Sequence, residues 1–248
     1  MKLYKTLIIA LLLVAVTPLS AQTADEIIAN YFENTGGAEN WEKLQGQKFI
    51  GVIKMQGMEL PMTKIDLANG KTLSSGDFQG MTFYQEVFDG ENLWGTNQMT
   101  MEAEKSDSEA TENFKKNIND FPNPFLNYKD KGYTVELIGT EIVEGVETFK
   151  LKLVKEPIMA DGKQIDDVSY YYFEKENFVP IVMEQEMNSG QMKGMNIVVK
   201  MSDYQEVDGL FFPFSMTQGV EGLGESEIVV KEIILNPEVD EAMFAFPK

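Results

Sequence analysis

Glycine-containing turn dipeptides recur along this sequence and constrain its fold more than any other feature. Each lies between two strand-like runs and pairs a polar residue with a glycine, which adopts a positive φ at no steric cost. The six dipeptides are Asn69-Gly70, Asp89-Gly90, Glu144-Gly145, Asp161-Gly162, Ser189-Gly190 and Asp208-Gly209. Such turns join neighbouring antiparallel strands, so the series predicts an antiparallel meander.

The runs between these turns predict about a dozen strands. They lie at 48–56, 60–68, 71–76, 81–88, 93–101, 133–142, 147–155, 167–174, 178–187, 192–204, 210–218 and 225–235. Helical patterns occur only near the start of the chain and near its middle, which argues against a repeating βαβ arrangement. We therefore expect a mainly β protein built on one large curved antiparallel sheet, open or nearly closed.

Three helical segments accompany the predicted sheet. Thr23 with Glu26 forms a capping box at the start of the first helix. A short second helix is predicted at 38–44. A third is predicted at 106–117, with Ser106 as its capping residue and only a thin apolar stripe.

The first 21 residues have the layout of a secretory signal peptide. Two lysines precede an apolar run from Leu7 to Val16, and small residues follow. Ten apolar residues span only about half of a ~30 Å hydrocarbon core, so this run is too short for a comfortable membrane span. We expect residues 1–21 to be removed and residues 22–248 to form a single exported domain that does not span the membrane.

Charge and cysteine content narrow the possible partners. The chain has 40 acidic against 21 basic residues, a formal net charge of −19, and its basic residues are all lysines. A negative field of this size repels phosphate backbones, so we expect no nucleic-acid partner. There is no cysteine, so neither a disulfide nor a lipid on an N-terminal cysteine is available.

The residues that most often perform catalysis are missing. The chain contains no histidine and no cysteine, which removes the usual general base, the imidazole metal ligands and the common nucleophile pairs. Carboxylate pairs such as Glu184 with Glu186 could share a strand face, but 40 acidic residues make chance pairs abundant. We predict a protein that is not an enzyme and uses neither a cofactor nor a metal.

Methionine and aromatic side chains are the remaining distinctive feature. The chain has 15 methionines, which accommodate irregular apolar guests well because they are unbranched and polarizable. The strands at 167–174 and 210–218 carry aromatic residues on both faces, so they need cover on both sides or line an apolar cavity. Ordinary core filling and a ligand cavity both fit this pattern.

Four phrases, taken in order, resemble the outer-membrane lipoprotein-sorting proteins, the LolA-like family of Gram-negative envelopes. They are FDGENLW (88–94), LIGTEIVEGVETFKLKL (137–153), YQEVDGLFFPF (204–214) and NPEVDEAMFAFP (236–247). The resemblance implies an incomplete antiparallel β-barrel of about eleven strands, closed by lid helices over an apolar interior. It also implies that the terminal segment packs back on the sheet, with Phe244 and Phe246 as anchors.

The same resemblance implies a monomeric periplasmic carrier that holds acyl chains of lipoproteins or other lipids, with envelope proteins as possible further partners. Carriers of this family control their lid with an arginine, which this chain lacks; either a lysine takes its place or the full handover does not occur. The alternative is a secreted envelope binding or sensor module on the same fold, without lipid transport. The residues predicted to line the cavity or lid are Phe114, Phe121, Phe125, Tyr171, Met195, Phe212 and Phe214.

Overall fold

Antiparallel hairpins dominate the computed structural model, which describes residues 22–247 of the chain. The predicted signal peptide therefore lies outside the described residues. Three α-helices are present among them: α1 (Ala24–Asn34), α2 (Ala38–Trp41) and α3 (Ser108–Asn117). The strands are β1 (Gly46–Met55), β2 (Met58–Leu67), β3 (Thr72–Phe78), β4 (Met81–Phe88), β5 (Leu93–Thr96), β6 (Ala103–Lys105), β7 (Thr134–Val143), β8 (Val146–Val154), β9 (Ile158–Ala160), β10 (Lys163–Ile165), β11 (Val168–Glu174), β12 (Pro180–Glu186), β13 (Asn196–Val207), β14 (Leu210–Val220) and β15 (Gly224–Leu235).

Thirteen of these strands form one antiparallel sheet, in the order β6-β5-β4-β3-β2-β1-β15-β14-β13-β12-β11-β8-β7. β6 and β7 lie at its two ends and do not pair, so the sheet is an open, incomplete barrel as predicted. The predicted strand at 93–101 ends at Thr96, because a turn at 97–102 reverses the chain into β6, a strand of three residues that was not predicted. β9 and β10 form a separate hairpin that strand patterning missed, since three residues are too few to show a period.

The predicted turns separate consecutive strands, and the tightest of them have the positive φ angles that two-residue hairpin turns require. Glu144-Gly145, Asp161-Gly162 and Asp208-Gly209 each combine two positive φ angles, as a type I′ turn requires. Gln56-Gly57 and Gln79-Gly80 have the same geometry. These two were not recognised because glutamine is not a typical residue at the first position of such turns.

Two predicted helix boundaries were wrong. α2 ends at Trp41 rather than at residue 44. α3 begins at Ser108, and its N-cap is Asp107, whose side chain accepts a hydrogen bond from the Ala110 amide. Ser106 still belongs to the edge of the sheet, where its amide donates to the Leu93 carbonyl at 2.9 Å, so the helix starts two residues later. The capping box of α1, by contrast, is confirmed.

The sheet has an inner face, which packs on α1, and an outer face. The inner core brings together α1, α2, the loop that follows α3, and inward side chains of β7, β8, β11, β14 and β15. On the outer face, Ile65, Leu73 and Val87 pack with Trp94 and the C-terminal Phe244. Nε1 of Trp94 donates to the carbonyl oxygen of Phe244 at 3.0 Å. The expected anchoring of the terminal segment is confirmed: Phe244 is fully buried.

Candidate ligand-binding site

A hollow of about 800 Å³ lies on the inner face, beside the turns that join β1 to β2 and β3 to β4. We call it the groove. Strand β4 and strand β13, six places apart in the sheet, both line it, so the sheet curves around this space. Its lining residues are Ile53, Met55, Met58, Leu60, Phe78, Phe83, Tyr84, Gln85, Thr96, Gln98, Met101, Ile197, Gln218, Gly219, Val220, Gly224, Ser226 and Ile228.

Strand alternation and two local irregularities direct these side chains into the groove. A register shift between β1 and β15 brings Val230 and Ile228 onto the face that Ile233 occupies further along β15. Gly76 on β3 leaves room for the ring of Phe83, because a Cβ at residue 76 would lie 2.4 Å from that ring. The groove wall therefore depends on one bulge and one glycine as well as on apolar residues.

The side chains around the mouth of the groove are apolar and accessible. Met55 is 38% exposed, Met58 42%, Phe78 37% and Met101 50%. A contiguous accessible apolar surface of this kind marks an interaction or ligand site in soluble proteins. Flexible thioether side chains suit a guest of irregular shape.

Four of the seven predicted site residues lie at the other end of the inner face, where the core is filled. The Phe125 ring lies 4.8 Å from the Tyr171 ring, and the Phe212 ring lies 5.0 Å from the Trp41 ring, measured between centroids. Phe125 and Phe212 are buried, and Phe214 packs against the same core. These four residues are brought together, but in a packed interior below α1.

Of the other three predicted residues, Phe121 packs against the edge of that core, whereas Phe114 and Met195 do not belong to it. Phe114 on α3 and Phe121 line a smaller hollow of about 370 Å³, and the Phe114 ring lies 4.9 Å from that of Phe88. Met195 lies in the turn before β13, two residues from the groove residue Ile197. None of the seven is among the residues that line the groove. Their contact with a ligand therefore stays a prediction.

Sequence reasoning missed the groove residues although a signal for them exists. Met55 and Met58 flank the Gln56-Gly57 turn, and Phe78 and Met81 flank the next Gln-Gly turn. Large apolar residues beside exposed turns are unusual, because turns face water. Pairs of this kind identify the open end of an apolar face.

The smaller hollow, which we call the polar hollow, has charged walls. Lys64 Nζ lies 3.2 Å from Asp66 Oδ2, and the Thr72 hydroxyl donates to Asp66 Oδ1 at 2.6 Å. Asp66 chiefly, by its charge, raises the pKa of Lys64. Glu86 is exposed at the rim of the hollow, where partial desolvation raises the pKa of its carboxyl against the opposing effect of Lys64.

α3 and the turn after it cover this hollow and are held mostly by polar contacts. Asn113 exchanges two hydrogen bonds with the backbone of Met159, at 2.6 and 2.8 Å. Lys155 Nζ lies 2.8 Å from Asp120 Oδ2 and 3.1 Å from Asp167 Oδ2. Burial lowers the pKa of Lys155, but the two carboxylates outweigh it and the net shift is upward. No residue of α3 is fully buried, so these polar contacts and the ring contact of Phe114 with Phe88 hold the cover in place.

Residues 22–247 contain no cluster of three or more Asp or Glu side chains that could hold a metal ion. No helix of the described part combines the length and the apolar character that a membrane crossing requires.

Thirteen antiparallel strands in an open, curved sheet, with helices on its inner face, define an architecture found among solved structures. A LolA superfamily protein from Nitrosomonas europaea is similar, with a TM-score of 0.55 and 13% identity over 91% of this chain and 98% of that one. A domain of the outer membrane lipoprotein-sorting type from Vibrio parahaemolyticus is similar too, with a TM-score of 0.54 and 14% identity over 88% and 94%. The chain therefore has the LolA-like fold that its sequence predicted. No family model matches the sequence, and no curated protein does either.

Proposed function

We propose that this protein is an exported, periplasmic binder and carrier of lipidated cargo that holds acyl chains in its groove and performs no covalent chemistry. The observation that carries the proposal is the unfilled apolar groove of about 800 Å³ on the inner face of a LolA-like sheet. The family's sorting role and the signal-like residues 1–21 support the location and the type of cargo.

The energetics of acyl binding suit a groove of this kind. Burying one methylene group contributes about 0.8 kcal/mol, so ten methylenes would stabilise a complex by roughly 8 kcal/mol before ordering costs. A hydrocarbon chain can form no hydrogen bonds. Most of the groove wall needs none, since it consists largely of apolar residues such as Ile53, Leu60, Phe83 and Ile228.

The seven residues predicted from the sequence belong to the same proposal as contacts of a more open form. Phe114 and Phe121 lie in the cover of the inner face, so displacement of this segment would bring them to the cargo first. Met195 precedes the groove residue Ile197 by two positions. Those in the core, Phe125 and Phe212 among them, would meet an acyl chain only after α1 moves away.

The direct test is saturation binding of a fluorescent fatty acid to the purified exported protein. We expect saturable uptake, and Met101→Asp should weaken it at least tenfold because it places a charge at the groove mouth. The backbone tolerates this change, since Met101 has a φ of 60°, which aspartate accepts readily. Ile142→Asp is the matched control, as Ile142 is 74% exposed on β7 and does not line the groove.

The result also separates the competing functions. No saturable uptake by the folded protein would reject acyl binding and favour a binding or sensor module without lipid transport. An equal loss of fatty-acid affinity in Met101→Asp and Ile142→Asp would show that the groove is not the binding site.

A further inference from the structure

Four turns beside the groove carry large apolar side chains that the groove itself does not explain. They join β1 to β2, β3 to β4, β5 to β6, and β14 to β15, and each contributes residues to the groove wall. Three further side chains of these turns, Met81, Met99 and Leu223, do not line the groove, and they are 53%, 92% and 63% exposed. The rim, as we call the four turns, comprises residues 55–58, 78–81, 97–101 and 220–224.

The order of the strands places all four turns at one end of the sheet. Neighbouring strands of an antiparallel sheet run in opposite directions, so alternate hairpin connections lie at the same end. Each rim turn follows a strand that runs toward this end, namely β1, β3, β5 or β14. The exposed apolar side chains of the rim are therefore presented together, around the mouth of the groove.

The rim is almost free of charge, although the chain is strongly acidic. Of its 18 residues only Glu221 is charged, whereas charged residues make up 25% of the whole chain. Its two Gln-Gly turns have a neutral residue at the position where Glu144-Gly145 and Asp208-Gly209 have a carboxylate. Removing a charge from water is costly, so uncharged tips suit a surface that enters an apolar medium.

Carboxylates lie directly behind the rim. Glu59, Asp77, Glu102 and Glu225 each adjoin a rim segment in the sequence, and all four are exposed. Lys54 is the one lysine in an adjoining position, and its Nζ lies 3.3 Å from Glu227 Oε2. This set of acids repels an anionic surface but can meet the cationic groups of zwitterionic lipid headgroups.

The shape of the rim favours a lipid layer over a protein partner. Its apolar side chains stand on separate turns with hollows between them, such as the one of about 520 Å³ bordered by Met58 and Phe78. A fluid lipid layer fills such gaps, whereas a protein interface needs a closely matching shape. A second copy of this chain would bring another net charge of −19 to the contact, which opposes pairing.

We propose that the rim docks on the surface of a zwitterionic lipid bilayer, with the mouth of the groove against the membrane. The choice of a bilayer rests on the proposed function, because an acyl chain would enter or leave the groove at this mouth. Docking places the apolar side chains of the rim among the lipids and excludes water from the path of the hydrocarbon.

The dimensions of the rim fit a shallow docking. Apolar elements that lie on a membrane surface enter it by about 5–10 Å. Glu59 follows Gly57, at the tip of its turn, by two residues, which is about 7 Å of extended chain. The carboxylate therefore stays at the level of the headgroups while Met58 lies deeper.

Flotation of the purified exported protein with phosphatidylcholine vesicles tests the proposal. We expect the wild-type protein to float with the vesicles, and the double variant Met99→Asp/Leu223→Asp to bind them at least tenfold more weakly, because each change places a charge on a rim turn. Fatty-acid uptake by this variant should be unchanged, since neither residue lines the groove. Ile142→Asp is the matched control: Ile142 is exposed on β7, outside the rim, and its replacement should alter vesicle binding less than twofold.

Lipid charge provides a second measurement. Partial replacement of phosphatidylcholine by phosphatidylglycerol should weaken vesicle binding at low salt, because the carboxylates behind the rim are repelled. Added salt should reverse that loss, since it screens the repulsion. Tighter binding to the anionic vesicles at low salt would overturn the proposal.

The remaining outcomes separate this inference from the proposed function. Saturable fatty-acid uptake by a folded protein that does not bind phosphatidylcholine vesicles would overturn the docking and leave acyl binding intact. An equal loss of vesicle binding in Ile142→Asp and in the double variant would also overturn it, as would a dimer in analytical ultracentrifugation that only the double variant abolishes. Vesicle binding without fatty-acid uptake would remove the proposed function and retain the docking surface.

Discussion

The two ends of the inner face are built from the same alternating strands and yet have opposite characters. At the end under α1, which we call the closed end, Phe173 and Leu151 are fully buried, and the Tyr31 ring of α1 lies 5.7 Å from that of Phe173. At the groove, the open end, Phe78 is 37% and Met101 50% exposed. The difference lies in the cover: helices lie over one end, and hairpin turns surround the other.

The residue types follow the same division. Aromatic rings fill the closed end and meet edge to face, as between Phe125 and Phe173 at 5.3 Å. Methionines are concentrated around the open end, where Met55, Met58 and Met101 line the groove. Rigid rings suit a space of fixed shape, and flexible thioethers suit one whose contents change. The comparison teaches that one strand pattern can serve both stability and binding.

The largest expected effect tests this division with two identical substitutions. Phe173→Ala should lower the free energy of unfolding by about 3–5 kcal/mol, because it leaves a cavity in the closed end. Phe78→Ala should lower it by less than about 1 kcal/mol, because that ring is partly in solvent. Urea unfolding measures both. Equal losses would mean that the open end is as tightly packed as the closed end.

The second prediction concerns the ion network that ties the cover to the sheet. Lys155→Met should cost about 3 kcal/mol, because it leaves Asp167, which is 2% exposed, without its cation. Lys175→Met is the control, since Lys175 pairs with an exposed Glu147 and should cost at most about 1 kcal/mol. Similar losses in both variants would contradict the assignment of Lys155 to a buried network.

A third prediction uses two tryptophans, one at each end. Trp94 Nε1 donates to the Phe244 carbonyl behind the open end, and Trp41 Nε1 donates to the Thr35 carbonyl at the closed end. Trp94→Phe should cost about 1–2 kcal/mol, because the Phe244 carbonyl loses its donor, whereas Trp41→Phe should cost less, because the Thr35 carbonyl still accepts from the Phe211 amide. Amide hydrogen exchange should accelerate in β2–β5 for the first variant and in α1 and β14 for the second. Uniform acceleration in both would mean that the two ends unfold as one unit.

The last prediction is a pH dependence at Lys131, in the loop that covers the closed end. Burial lowers the pKa of Lys131 to about 8, partly opposed by Asp120. The unfolded chain, with a lysine pKa of about 10.4, then holds one more proton between these values, so stability rises with pH across this window. Relative to Lys131→Met, the wild-type protein should gain stability from pH ~8 to ~10.4.

Lys129 is the natural control for that measurement. It is exposed beside Asp25, and a hydrogen bond to this carboxylate raises its pKa. A raised lysine pKa keeps its contribution intact below about 10.4. Lys129→Met should therefore show no gain in the window, and a gain of the same size there would contradict the assignment to Lys131.

The sequence predicted the sheet well because turns and alternation are local signals. Asp208-Gly209 and Glu144-Gly145 mark hairpins on their own, and alternation shows which residues share a face. The resemblance to the LolA-like family added one further prediction, that Phe244 anchors the terminal segment on the sheet. Neither signal tells which end of a face is covered, because that depends on how α1 docks across strands distant in sequence. Phe125 and Phe212 were therefore chosen for the cavity, whereas the unfilled space lies beside Met58.

The pairing of β1 with β15 determines when the sheet can finish folding. The first strand and the last described strand are neighbours in the middle of the sheet, where Gln47 faces Leu235 across most of the chain's length. Contacts between such distant residues form slowly. The sheet cannot be completed until the final hairpin is available, so the two halves of the sheet stay unjoined until the last strand has been synthesised.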